Sequence, residues 1–259
     1  MTFNHGVPGS IPGRLTIPVA VDATMGEDKT LPPTKRRLAL VSLCLLAPAP
    51  SLGVFFGMWA LPDTTAGRLL FGFCKIWLLA LPLLWLKLID REPVSWSPVR
   101  RGGWLAGIVS GLLISGVILG LYFSVGQKFI DHAWLVDQLH KAGLGVRWRY
   151  LLAATYWITV NSALEEYVWR WFCVRQAASI WSRPLAVAVS ALCFTLHHII
   201  AMAVYFETTA VVICSLGVFM GGLIWSAMYL RYGSIWPGYI SHVLVDLAIF
   251  GLGGWLLFA

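Results

Sequence analysis

From Leu38 onward, apolar runs of about 20 residues follow one another with short charged breaks, each long enough to cross a bilayer. They fall at 38–61, 69–88, 104–125, 150–174, 184–206, 209–230 and 235–258. Packing them into a water-soluble globule would need far more polar surface than the chain has. Charged residues make up 12% of it, against about 25% in a soluble domain. The pattern predicts an all-α fold, a polytopic transmembrane helical bundle of about seven spans. Pro48 and Pro50 should kink or split the first span.

Residues 1–34 are rich in Gly, Pro, Thr and charge, and are expected to form a disordered tail. Residues 35–149 read as N-terminal transmembrane helices and 150–259 as a transmembrane core. The formal net charge of +7 does not indicate nucleic acid, because the basic residues sit singly or in short groups at the ends of apolar runs. Lys35-Arg36-Arg37, Lys87, Arg91, Arg100, Arg101, Arg175, Arg183 and Arg231 all fall on one side if the N-terminus is cytoplasmic. We therefore expect a multi-pass protein of a bacterial inner membrane with that orientation. The stretch 126–149 carries charge on the other side and has amphipathic character, as a helix lying along the interface would. Five cysteines without a CxxC pair read as small apolar fillers. Trp104, Trp169, Trp171, Trp181 and Trp236 read as interfacial belt residues, and Gly221-Gly222 as a site of close helix packing.

The informative residues are those a membrane should exclude. Of twelve acidic residues, three lie inside predicted spans: Glu165, Glu166 and Asp246. His197, His198 and His242 are there too. An ionisable group at mid-bilayer costs roughly 2.5–3.5 kcal/mol on insertion scales, so such groups are usually kept for function. Glu166 and Arg170 are four apart and share a helix face, acid before base, whereas Glu165 points about 100° away. One carboxylate is thus neutralised and the other can face a polar cavity. His242 and Asp246 are also four apart, as are Phe194 and His198, with His197 rotated off that stripe. Taken singly, each feature has a structural reading as an ion pair or an interhelical hydrogen bond. Their combination on three successive helices points to chemistry.

Glu165-Glu166-x-x-x-Arg170, Phe194-x-x-x-His198 and His242-x-x-x-Asp246 together resemble the three signatures of the CPBP family, over roughly residues 150–250. That family comprises type II CAAX prenyl endopeptidases and related bacteriocin-processing and self-immunity proteins. The resemblance implies that Glu165 and His198 activate the attacking water, and that His242 and residue 246 stabilise the oxyanion. It makes Glu166, Arg170 and Phe194 supporting residues. The family usually has Asn where this chain has Asp246, and a carboxylate donates a hydrogen bond only when protonated.

No HExxH motif occurs, and the expected site is a metal-free glutamate type with no cofactor, although a Glu/His cluster also suits zinc. The implied activity is endopeptidase cleavage of a membrane-associated protein or peptide, with the lipid bilayer as the other partner and no nucleic acid. Two rivals stand beside it: a catalytically silent membrane scaffold or immunity protein, and a proton-coupled transporter, which also places acids and histidines at mid-bilayer. No inverted repeat supports the transporter. Ser162 lies beside the acids without an evident base partner, and Cys193 reads as packing.

Overall fold

The computed structural model describes residues 32–99 and 101–259, so the tail expected over 1–34 lies almost wholly outside the described residues. The described chain is all helical. In order it forms α1 (Pro33–Ala60), α2 (Thr65–Asp90), α3 (Trp104–Ser124), α4 (His132–Lys141), α5 (147–178), α6 (Arg183–Tyr205), α7 (Thr208–Tyr232) and α8 (Trp236–Phe258). Six of the eight are long and apolar enough to cross a membrane. The exception among the seven expected spans is α5, a continuous helix of similar length whose apolar run is broken by Glu165, Glu166 and Arg170. Leu69 and Leu105 expose 68% and 74% of their surface, and a belt of other large apolar side chains does the same. Only a lipid solvent makes such a surface stable. The protein is an integral membrane protein.

Proline interrupts α1 as expected. The helix breaks for one residue at Ala47, resumes at Pro48, and runs out in a widened π-type turn over Phe55–Ala60. Pro48 and Pro50 have no backbone N–H to give to the preceding turn, so the bonding cannot pass through unchanged. The amphipathic stretch forms α4, started by Asp131, whose side chain accepts from Trp134 N at 2.9 Å.

The bundle closes through small residues and interhelical hydrogen bonds, as helices without a hydrophobic drive between them must. Along α3, Gly107 and Gly111 let the α8 backbone approach; Ser110 Oγ meets Ser241 Oγ at 3.1 Å, and Ser115 Oγ donates to Leu244 O at 3.0 Å. Trp225 Nε1 donates to Ser241 Oγ at 2.9 Å and ties α7 to α8. Ser190 Oγ donates to Trp169 O at 2.8 Å and ties α6 to α5. Of the glycine pair, Gly222 meets α6, where an added Cβ would stand 3.1 Å from Ala191, while Gly221 faces Trp225 of its own helix.

These contacts put α5 inside the bundle, and that corrects the reading of two tryptophans. Trp169 and Trp171 are 1% and 4% exposed and belong to the core rather than to an interfacial belt. A helix enclosed by neighbours presents its aromatics to them, whatever its depth in the membrane. Trp104, at the start of α3, is 47% exposed as a belt residue should be.

Candidate active site

The site is organised by an irregular stretch of α5. A π-type segment, Tyr156–Asn161, is followed by a single α-turn, Ser162–Glu165, and a second π-type segment, Glu166–Val174. Such widened turns inside α-helices are frequent at functional sites. Here they frame the two glutamates and point them different ways. Glu166 is fully buried, 3.3 Å from Arg170 Nη1. Glu165 keeps 14% of its side chain exposed and lines a cavity of about 140 Å³ between α5, α6 and the first two helices. The division into one neutralised and one available carboxylate is as the spacing predicts.

Histidines converge on Glu165 from two helices. His242 on α8 brings Nε2 to 3.7 Å from Glu165 Oε2, while its Nδ1 donates to Glu166 Oε1 at 3.2 Å. Its ring stacks on Trp225, with centroids 4.1 Å apart and planes at 16°. Two acids and an indole thus fix one imidazole. On α6, His198 Nδ1 lies 2.8 Å from Phe194 O. A carbonyl can only accept, so Nδ1 carries the proton and Nε2 keeps its lone pair. Phe194 is almost fully buried at the centre, with its ring 4.5 Å from that of His198 and under the Arg170 guanidinium, also 4.5 Å away.

Asp246 is placed less simply. Its Oδ2 lies 3.7 Å from His242 Nε2 and 2.6 Å from Ser162 Oγ, which is also 2.9 Å from Trp157 O. Ser162 therefore does have an acidic partner, which the sequence did not reveal, and Asp246 is committed to it. The histidine is oriented chiefly by Glu166.

Arg170 is fully buried and held by faces rather than by hydrogen bonds. Its guanidinium sits 4.5 Å from the Phe194 ring and 5.1 Å from the Trp225 ring, and none of its nitrogens makes a well-aligned hydrogen bond. Glu166 Oε2 is likewise without a hydrogen-bond partner and abuts Gly238 of α8, where an added Cβ would lie 2.5 Å from it. Gly238→Ala should therefore cost about 1–3 kcal/mol of stability, because the carboxylate is pinned by Arg170 and His242 and cannot yield. Thermal unfolding in detergent measures it, and an unchanged melting temperature would mean that the carboxylate has room to move.

Sequence reasoning noticed one further contributor without giving it a role, and passed over two more. His197 is buried on α6, stacks on Trp169 with planes at 13°, and brings Nε2 to 3.9 Å from Glu165 Oε1. Its Nδ1 has no partner. Lys75 on α2 donates through Nζ to Asn161 Oδ1 at 3.0 Å, and both line the cavity with Glu165. A lysine inside an apolar run, and an asparagine four residues before Glu165, were signals available in the sequence. Attention to acids and histidines alone missed them.

Glu165, His197 and His198 each offer a ligand atom, all within 4.8 Å of one another. A carboxylate with two imidazoles is the donor set of several catalytic zinc sites, and the bond from His198 Nδ1 to a carbonyl is the support a metal-binding histidine commonly has. By donor chemistry these residues fit a divalent metal.

Residues 147–248 match the family model described as type II CAAX prenyl endopeptidase, Rce1-like, and all three motifs fall within that range. The resemblance read from the motifs is shown over that segment. No curated protein and no solved structure gives a significant match.

Proposed function

We propose, from the Rce1-like match of residues 147–248, that this protein is an intramembrane endopeptidase that hydrolyses a membrane-associated protein or peptide with a Glu165-activated water. The observation that carries the reading is the convergence of His198 and His242, from two further helices, on Glu165, which lines the cavity. His198 Nε2 and the Glu165 carboxylate are both acceptors, so a water between them donates one O–H to each and turns its lone pairs toward a substrate carbonyl. Glu165 takes the proton as the oxygen attacks the carbonyl carbon, and returns it to the departing amine when the C–N bond breaks. His242, as the imidazolium, donates through Nε2 to the oxyanion, while Glu166 holds the ring through Nδ1. Arg170 keeps Glu166 in place, and Phe194 supports Arg170 and His198. Asp246 backs the imidazole and anchors Ser162.

Arg175, at the end of α5, pairs with Glu92 at 2.7 Å, so two of the basic loops do lie at one end of the bundle. We place that end, and the N-terminus, in the cytoplasm. The test compares membranes carrying wild type with membranes carrying Glu165→Gln by N-terminal proteomics. New N-termini near membrane segments in the wild type alone are expected; identical termini in both would favour a silent scaffold.

The Glu165–His197–His198 cluster supports one variation. Those three side chains would hold a divalent metal, which would supply Lewis-acid activation of the same water. In the metal-free reading, 1,10-phenanthroline changes turnover by less than about twofold. Loss of about tenfold or more, restored by added zinc, would move the assignment to the metal-assisted site and make His197 a ligand.

A further inference from the structure

A lysine within an apolar helix is costly unless something uses it. Lys75 lies in the middle of α2, and among the described residues no carboxylate comes within 4.0 Å of its ammonium. Its hydrogen bond goes to Asn161 Oδ1, and its remaining neighbour of note is the Phe71 ring, 5.9 Å away. The lysine can only donate, so the amide orientation is settled: oxygen toward Lys75, nitrogen away from it. Asn161 is 7% exposed, and its Nδ2 has no hydrogen-bond partner among the described residues. That nitrogen is not one of the fully enclosed polar atoms left without a partner, so it keeps open surface on which an acceptor can sit. The cavity that Asn161 lines with Glu165 and Lys75 is where one would come from.

What arrives there is set by the helix. Residues one turn apart project side by side, about 5–6 Å apart at Cβ. A carbonyl carbon attacked by water on Glu165 therefore carries its oxygen within reach of either the His242 side or the Asn161 side. Asp246, the carboxylate four residues after His242, accepts from Ser162 through Oδ2. A cation on the carbonyl of an amide draws electron density from its nitrogen and strengthens the N–H as a donor.

We infer that Asn161, held and polarised by Lys75, donates its side-chain N–H to the oxyanion of the tetrahedral intermediate, alongside His242. Asn161 is a catalytic residue and Lys75 a positioning residue. The inference rests on the endopeptidase reading above.

The test is a double-mutant cycle on the full-length protein in detergent micelles, with an internally quenched randomised decapeptide library as substrate and mass spectrometry of the products. Glu165→Gln runs in parallel. Asn161→Leu should lower kcat by about 10²–10³-fold with KM changed less than about threefold. Lys75→Met should lower kcat by about tenfold or more in the wild type. In the Asn161→Leu background it should add less than about twofold, because it acts through that amide. The double variant removes both partners and leaves neither stranded, so its melting temperature should stay near wild type even if a single variant folds poorly. Wild-type kcat in the folded double variant, with Glu165→Gln inactive, would overturn this inference and leave the endopeptidase reading standing. Additive losses that track melting temperature would make the pair an interhelical tie and also overturn it. Cleavage by Glu165→Gln at the wild-type rate, or none by any protein, would overturn the endopeptidase reading and this inference with it.

Discussion

Glu165→Gln lowers the cleavage rate by about 10²–10⁴-fold, the usual contribution of a positioned general base, while the protein unfolds at the wild-type temperature. The two halves of this expectation have separate causes. Chemically, glutamine cannot accept the proton of the attacking water. Structurally, Glu165 makes no contact to a charged partner shorter than 3.7 Å and keeps part of its side chain open to the cavity, so neutralising it strands nothing. His198→Ala should behave in the same way, because its one hydrogen bond is to a carbonyl of its own helix. Purified variants assayed on a single cleavable peptide decide the matter. Retention of more than about a tenth of wild-type turnover, a loss under about 1.4 kcal/mol, by either variant would sink the assignment.

Arg170→Ala gives the opposite profile, with stability falling by about 3–5 kcal/mol and activity falling with it. Arg170 and Glu166 are both fully buried, and the guanidinium also fills the space between Phe194 and Trp225. Its removal leaves a carboxylate in an apolar setting and a hole between two aromatic rings. A paired change, Arg170→Met with Glu166→Gln, removes both charges and keeps most of the volume. It should recover the larger part of the stability without restoring activity, because a neutral amide holds His242 less firmly. Thermal unfolding in detergent and the yield of folded protein are the measurements. Wild-type stability in Arg170→Ala, with activity lost, would instead place Arg170 in contact with substrate.

These two residues also show where sequence reasoning succeeds. A four-residue spacing fixes which side chains share a helix face, so the Glu166–Arg170 pair, the separate direction of Glu165 and the register of His242 with Asp246 could all be read directly. Six of the seven expected spans, and the break just before Pro48, followed from run length and from the missing proline donor. Contacts between helices could not be read that way. The approach of His242 to Glu166, the tie between Ser162 and Asp246, and the reach of Lys75 to Asn161 join residues 76, 84 and 86 positions apart. Periodicity carries no information about them. The misplacement of Trp169 and Trp171 has the same origin, since belt and core positions have the same composition when a helix is enclosed by others.

The cavity beside Glu165 is walled on one side by α5 and α6 and on the other by Pro50, Val54, Phe71 and Leu78 of the first two helices. Those four residues lie outside the segment that matches the family model. The proposed water-activating residues and most of the wall facing them are therefore encoded in different parts of the chain, with Lys75 on the second helix the exception. Substitutions in that wall can change its shape without touching Glu165, His198 or His242. Exchanging Pro50, Val54, Phe71 and Leu78, with Lys75 kept, should then shift cleavage preference while leaving the bond-breaking step as it was.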